Sequence, residues 1–110
     1  MIAKFKHALD GISCCMKDKS IVLQCVLGLC TFIFFGFFDL NAMEWCLVTG
    51  CIGGVIVLEI INTCIEKLCN LYSEEPDIRI QRIKDMSAGM VLTGCVFALI
   101  IGVIIITRRI

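Results

Sequence analysis

Residues 21–38, 45–58 and 86–106 carry no charged side chain, and charges crowd into the segments between them. A hydrocarbon core is crossed by about 20 residues of helix, so these runs predict three transmembrane helices. Hydrophobic residues make up 59% of the chain, where a soluble domain holds about 45–50%. The expected fold class is therefore an all-α integral membrane protein. A single domain over residues 1–110 is expected, with a surface helix at 1–19 and spans at 21–38, 45–71 and 78–107. The middle span is the unusual one: its apolar part is too short to cross unless the helix continues through Glu59 and Glu66.

Lys4, Lys6, Lys17 and Lys19 precede the first span, and Lys67, Arg79, Arg82 and Lys84 follow the second. The loop between these spans, residues 39–44, has Asp39 and Glu44 but no Lys or Arg. Basic loops stay in the cytoplasm, so the N-terminus and the second loop are expected inside and the acidic loop outside. Arg108 and Arg109 then fall outside, against the rule, but a short tail weighs less than two longer basic segments. Trp45 and Tyr72 suit interfacial positions at opposite ends of the second span. Residues 1–19 have no long apolar core of the signal-peptide kind. Ile2, Phe5, Leu9 and Ile12 recur at helical spacing opposite lysines, the pattern of an amphipathic helix lying on the membrane.

The nine cysteines include no Cys-x-x-Cys pair and there is one His, so neither zinc nor a structural disulfide is expected. Cysteine reads here as a small apolar packing residue. Gly50 and Gly54, and Gly94, Ala98 and Gly102, set small residues four apart, which lets helix backbones approach closely within or between subunits. Three spans in so short a chain enclose little by themselves, so an oligomer is expected. Pro76, after Ser73-Glu74-Glu75, marks the hairpin between the second and third spans.

Glu59, Asn62, Glu66 and Asn70 fall on one face of a helix, a polar stripe about 16 Å long at the end of an apolar run. Ionised carboxylates near a bilayer cost several kcal/mol unless paired, hydrated or bound to a cation. The hairpin returns Lys84 and Asp85 toward this stripe. One reading is a polyanion site: carboxylates hold a divalent cation, the cation and Lys84 hold phosphates, and the other carboxylate takes a proton. The other is structural, a Glu66–Lys84 salt bridge with Glu59 lining a wet seam. Spacing alone leaves both open. No phosphate-cradling Gly-x-x-x-x-Gly-Lys, protein-kinase signature or Ser-His-Asp order is present, which excludes a soluble nucleotide-binding fold.

Glu59-x-x-Asn62-Thr63-x-Ile65-Glu66, followed after a hairpin by Lys84-Asp85-Met86-Ser87-Ala88, resembles the prokaryotic diacylglycerol kinase and undecaprenol kinase family. Phe5-Lys6-His7-Ala8-x-x-Gly11-Ile12 is similar to that family's N-terminal helix, and the resemblance covers nearly the whole chain. It implies a homotrimer in the bacterial inner membrane, with active sites shared between neighbours on the cytoplasmic side. It further implies that Glu59 is the base for the lipid hydroxyl as it attacks the γ-phosphate of ATP, and that Glu66 is a magnesium ligand. Asn62, Lys84 and Asp85 would organise the nucleotide phosphates, with His7 facing the nucleotide. The family's second metal-binding Glu falls at Lys19 here, with Asp18 beside it as the substitute ligand, and Asn70 stands where a carboxylate is common. Ile21-Val22-Leu23 is apolar where the family often has a polar stretch with an Arg.

The expected function is transfer of phosphate from MgATP to a membrane lipid alcohol, with diacylglycerol favoured over undecaprenol and no nucleic-acid partner. Lys19 and Asn70 motivate an alternative, a relative that binds nucleotide or lipid without turnover. A small multidrug-type transporter would have four spans and its critical acid in the first, which this chain does not match.

Overall fold

The computed structural model describes residues 1–72 and 75–109. The described chain consists of α1 (Ile2–Cys15), α2 (Lys19–Phe35), α3 (Ala42–Tyr72) and α4 (Ile78–Arg109). Each helix start after the first has a local cause. Asp18 has an extended backbone and its carboxylate accepts the Ser20 N–H at 3.1 Å, satisfying an orphan donor of α2. Asn41 and Glu44 form a reciprocal box at the head of α3. The Asn41 Oδ1 accepts the Glu44 N–H at 2.9 Å, and Glu44 Oε1 accepts the Asn41 N–H at 3.0 Å. Asp77 accepts the Arg79 N–H at 2.8 Å where α4 begins. Of the expected hairpin, Ser73 and Glu74 lie outside the described residues.

α3 and α4, at 31 and 32 residues, are each long and apolar enough to cross a membrane. By its rise α3 is about 46 Å long against a hydrocarbon core of about 30 Å, so one end must emerge. α1 and α2 qualify as a span only when taken together, and they are bent by 91°. With α2 along the membrane normal, α1 therefore lies in the membrane plane, as the amphipathic pattern requires. The 17 residues of α2 are at the short end of what can cross.

α2 stops at Phe35, three residues before the expected end at Phe38, because the backbone tightens at Gly36. Phe37 and Phe38 donate to carbonyls three residues back, at 3.2 and 3.1 Å, in place of the α-helical pattern. That turn folds Phe38 and Leu40 back onto the bundle. Phe35, Leu40, Val48 and Ile105 form the buried cluster, bordered by Phe38, Trp45, Ile52, Ile101 and Ile106. The Phe32 and Trp45 rings pack 4.9 Å apart at the same end. Lipid tails are as apolar as these side chains, so close packing does much of the stabilising here.

α3 is the central helix, packed on α2 along one side and on α4 along the other. Gly28 allows the first contact: a Cβ there would sit 2.8 Å from the Ile52 Cγ2. Gly94 allows the second, since the Leu58 Cδ1 methyl occupies the space a side chain would need. Gly102 meets the Phe35 ring, so the Gly94–Gly102 face is used within the chain, whereas Gly50 and Gly54 have nothing within 4 Å. α1 buries none of its residues. The nine thiols are free.

At the far end of the bundle the Arg109 guanidinium bonds Glu44, with Nε donating to Oε2 at 3.2 Å and Nη2 donating to Oε1. Half of the basic tail that opposed the topology is thus neutralised by the first turn of α3. Arg109, and then the Asn41 N–H, hold the Glu44 carboxyl below its ordinary value.

Candidate active site on the α3–α4 seam

The polar stripe of α3 is built as its spacing requires, and Asn62 is its fixed point. This side chain is buried against α4, where its Oδ1 accepts the Ser87 hydroxyl at 2.6 Å. Its Nδ2 reaches along the same helix toward Glu66 Oε1 at 3.4 Å. Ser87 is itself 4% exposed, so the bond lies in a dry seam where an unpaired amide would be costly. Asn62 is thereby locked while presenting a donor to the Glu66 carboxylate. Thr63, also buried, returns its hydroxyl to the Glu59 carbonyl at 2.9 Å.

Glu66 is exposed, and the Glu66–Lys84 ion pair that a purely structural role required is not formed among the described residues. Lys84 instead donates to Asn70 Oδ1 at 2.7 Å. A neutral carboxamide fixes the position of an ammonium without cancelling its charge, so Lys84 remains available to an anion. No hydrogen bond or ion pair from the described residues reaches the Glu59 carboxylate, which is half-buried one turn from Thr63. Among the described residues the seam therefore brings together an unpaired carboxylate, a second carboxylate aligned by Asn62 and an ammonium held by a neutral amide.

The remaining candidates are placed less centrally. Asp85 is exposed on α4 and accepts from Gln81 Nε2 at 2.9 Å. His7 is exposed on α1, and the chain joins it to the seam by no hydrogen bond or ring contact among the described residues. Lys19 opens α2. Asp18 has a partner for each carboxylate oxygen, the Ser20 N–H on Oδ1 and Lys67 Nζ at 3.7 Å from Oδ2. Sequence reasoning had Ser87 within a motif but gave it no role; nothing local marks it as the partner of Asn62. The Lys67–Asp18 pair was missed altogether.

Among the described residues no group of three or more His, Cys, Asp or Glu side chains comes together as a metal cluster. Magnesium does not need one: it commonly takes one or two carboxylates and completes its shell with water and substrate phosphates. The exposed Glu66 fits that kind of ligation. Asp18 fits it only if Lys67 lets go.

The family profile described as prokaryotic diacylglycerol kinase matches residues 6–106. An undecaprenol kinase from Bacillus subtilis (strain 168) is 32% identical over 102 residues, which is 92% of this chain and 83% of that protein. The match takes in all of α2 and α3, most of α1 and all but the last turn of α4, so the whole seam lies inside it. The chain belongs to the prokaryotic diacylglycerol kinase family, and so to the membrane lipid kinases that draw phosphate from ATP.

Proposed function

We propose that the chain transfers the γ-phosphate of MgATP to the hydroxyl of a membrane lipid alcohol, at the cytoplasmic ends of α3 and α4 in a bacterial inner membrane. Glu59 takes the hydroxyl proton as the lipid oxygen bonds to the γ-phosphorus. The bond from that phosphorus to the β–γ bridging oxygen breaks, and ADP leaves. Lys84, Asn62 and Asp85 orient the phosphates, and His7 meets the nucleotide when α1 closes over the seam. Glu66 would hold magnesium, whose charge offsets that of the phosphates. Phosphoryl transfer needs mainly positioning and charge neutralisation, which suits a site with few reactive groups.

The observation that carries this reading is the seam itself. Asn62 is pinned by buried Ser87 and aims at Glu66, while the Glu59 carboxylate is left without a partner among the described residues. A structural salt-bridge network would have used these carboxylates. The leaning toward diacylglycerol has no support from the relative named an undecaprenol kinase, so undecaprenol is the first acceptor to try. Oligomerisation as a homotrimer is part of the proposal, supported by the open Gly50/Gly54 face on α3.

A second reading, a family member without turnover, draws on Lys19 and on the engagement of both Asp18 oxygens. One experiment separates the two. Purified protein in mixed micelles is given MgATP labelled at the γ-phosphate, with undecaprenol and diacylglycerol side by side. Labelling of either lipid supports the kinase and names its acceptor. Labelling of neither, with the oligomer intact, transfers the case to the non-catalytic relative.

A further inference from the structure

The α3 face that carries Glu59 and Glu66 is bounded on both sides. At 100° per residue Asn62 lies about 60° to one side of Glu59 and Lys67 about 80° to the other, with Glu66 within about 20° of Glu59. Asn62 is tied to Ser87 of α4, and Lys67 to Asp18 at the head of α2. The carboxylate face therefore looks out between α2 and α4, with one lysine on each flank. Lys84 stands on the α4 side, bonded to neutral Asn70, and Lys67 stands on the α2 side beside Glu66.

Lys67 is held loosely. Its side chain is 63% exposed, its ammonium is 3.7 Å from Asp18, and exposed pairs of this kind contribute at most about 1 kcal/mol. The Asp18 carboxylate does not depend on it either, because the other oxygen caps α2. The α3 face is acidic: Glu59 and Glu66 both lie on it, Glu59 without a hydrogen bond or ion pair among the described residues, and an arriving triphosphate adds more anion. A flexible ammonium beside the metal-ligand position is placed to offset it.

Resting on the kinase reading above, we infer that Lys67 is a further nucleotide-binding residue, which leaves Asp18 to contact the phosphates of ATP when the nucleotide enters. Asp18 is its resting partner and holds it on the correct side of α3. Lys67 and Lys84 then flank the phosphate chain from opposite helices. Because an ammonium binds phosphate directly, this contribution does not depend on magnesium.

The test is ATP binding measured calorimetrically in EDTA, on the full-length protein in micelles, with lipid phosphorylation in MgATP followed in parallel. Lys67→Met is expected to weaken metal-free ATP binding roughly tenfold, the loss of one charge-assisted contact. Lys67→Arg, which keeps the charge, is expected to stay within a few-fold of wild type. Asp18→Asn retains a good helix cap and removes the competing carboxylate, so its metal-free affinity should equal or exceed that of wild type. Equal ATP affinities for wild type and Lys67→Met, with transfer intact, would overturn the role of Lys67 and leave the kinase reading standing. Wild-type protein that neither binds ATP nor labels lipid would overturn the kinase reading and this inference with it.

Discussion

The two ends of the helix bundle use charge in opposite ways. At the end where α2 turns into α3, Glu44 serves two partners at once: it completes the Asn41 capping box and bonds the Arg109 guanidinium. Beside it Phe35, Leu40, Val48 and Ile105 close the core. At the end where α3 runs into α4, Glu59 has no protein partner among the described residues, and Lys84 rests on a neutral amide. The charges at the first end cancel each other, whereas those at the second are held by neutral amides or, for Glu59, by nothing among the described residues. Half-buried charge without compensation is costly, and such charge clusters at functional sites.

That contrast can be broken at either end. The largest effect is expected from Glu66→Gln, which removes the proposed metal ligand: phosphate transfer should fall below detection while the oligomer elutes unchanged in gel filtration. Activity surviving in this variant would refute the metal assignment. Ile105→Ala, at the closed end, should do the reverse. A stability loss of about 2–4 kcal/mol is expected from the cavity, with transfer at permissive temperature close to wild type. Thermal unfolding and initial rates, taken together, would show whether the two ends are separable as claimed.

Ser87→Ala sharpens the comparison because it leaves every charge in place. It strips the buried Asn62 carbonyl of its partner, a penalty of about 1–3 kcal/mol, and loosens the aim of Asn62 at Glu66. Both unfolding temperature and transfer rate should drop, and a drop in stability alone would mean that Asn62 only packs the helices.

The smallest effect belongs to acid pH. The Glu44 carboxyl is held below its ordinary value of 4.5, chiefly by Arg109 and then by Asn41. The stabilisation from this shift is complete above that ordinary value and disappears as pH falls through the lower folded-state value. Glu44→Gln should therefore lower stability near neutrality and flatten the loss of stability on acidification below about pH 4.5. An acid limb unchanged by the substitution would show that the pair contributes nothing.

The helices were legible because uncharged runs bounded by lysines and acids leave few other folds. The stripe was legible because four polar residues at helical spacing survive any plausible choice of helix ends. The end of α2 was not, since Gly36 within an aromatic run reads as span until the turn is seen. Nor were the pairings across the chain. Asn62 and Ser87 are 25 residues apart, and Glu44 and Arg109 are 65 apart. Residue type and spacing fix a face of one helix, but the packing of α3 between α2 and α4 decides which faces meet. Asp18 illustrates the limit: beside Lys19 it reads as a substitute ligand, while its position at the head of α2 gives it a cap and a lysine.

The proposed role of the unpaired Glu59 carboxylate as the base is put to the proof by Glu59→Gln, which removes the proton acceptor and keeps the shape of the side chain. Single-turnover transfer of labelled γ-phosphate to undecaprenol and diacylglycerol would be compared with wild type in the same micelles, with unfolding temperature recorded on the same samples. A loss of roughly 10²–10⁴-fold is expected, the usual contribution of a general base, with ATP binding and unfolding little changed. Transfer at the wild-type rate by Glu59→Gln would contradict it.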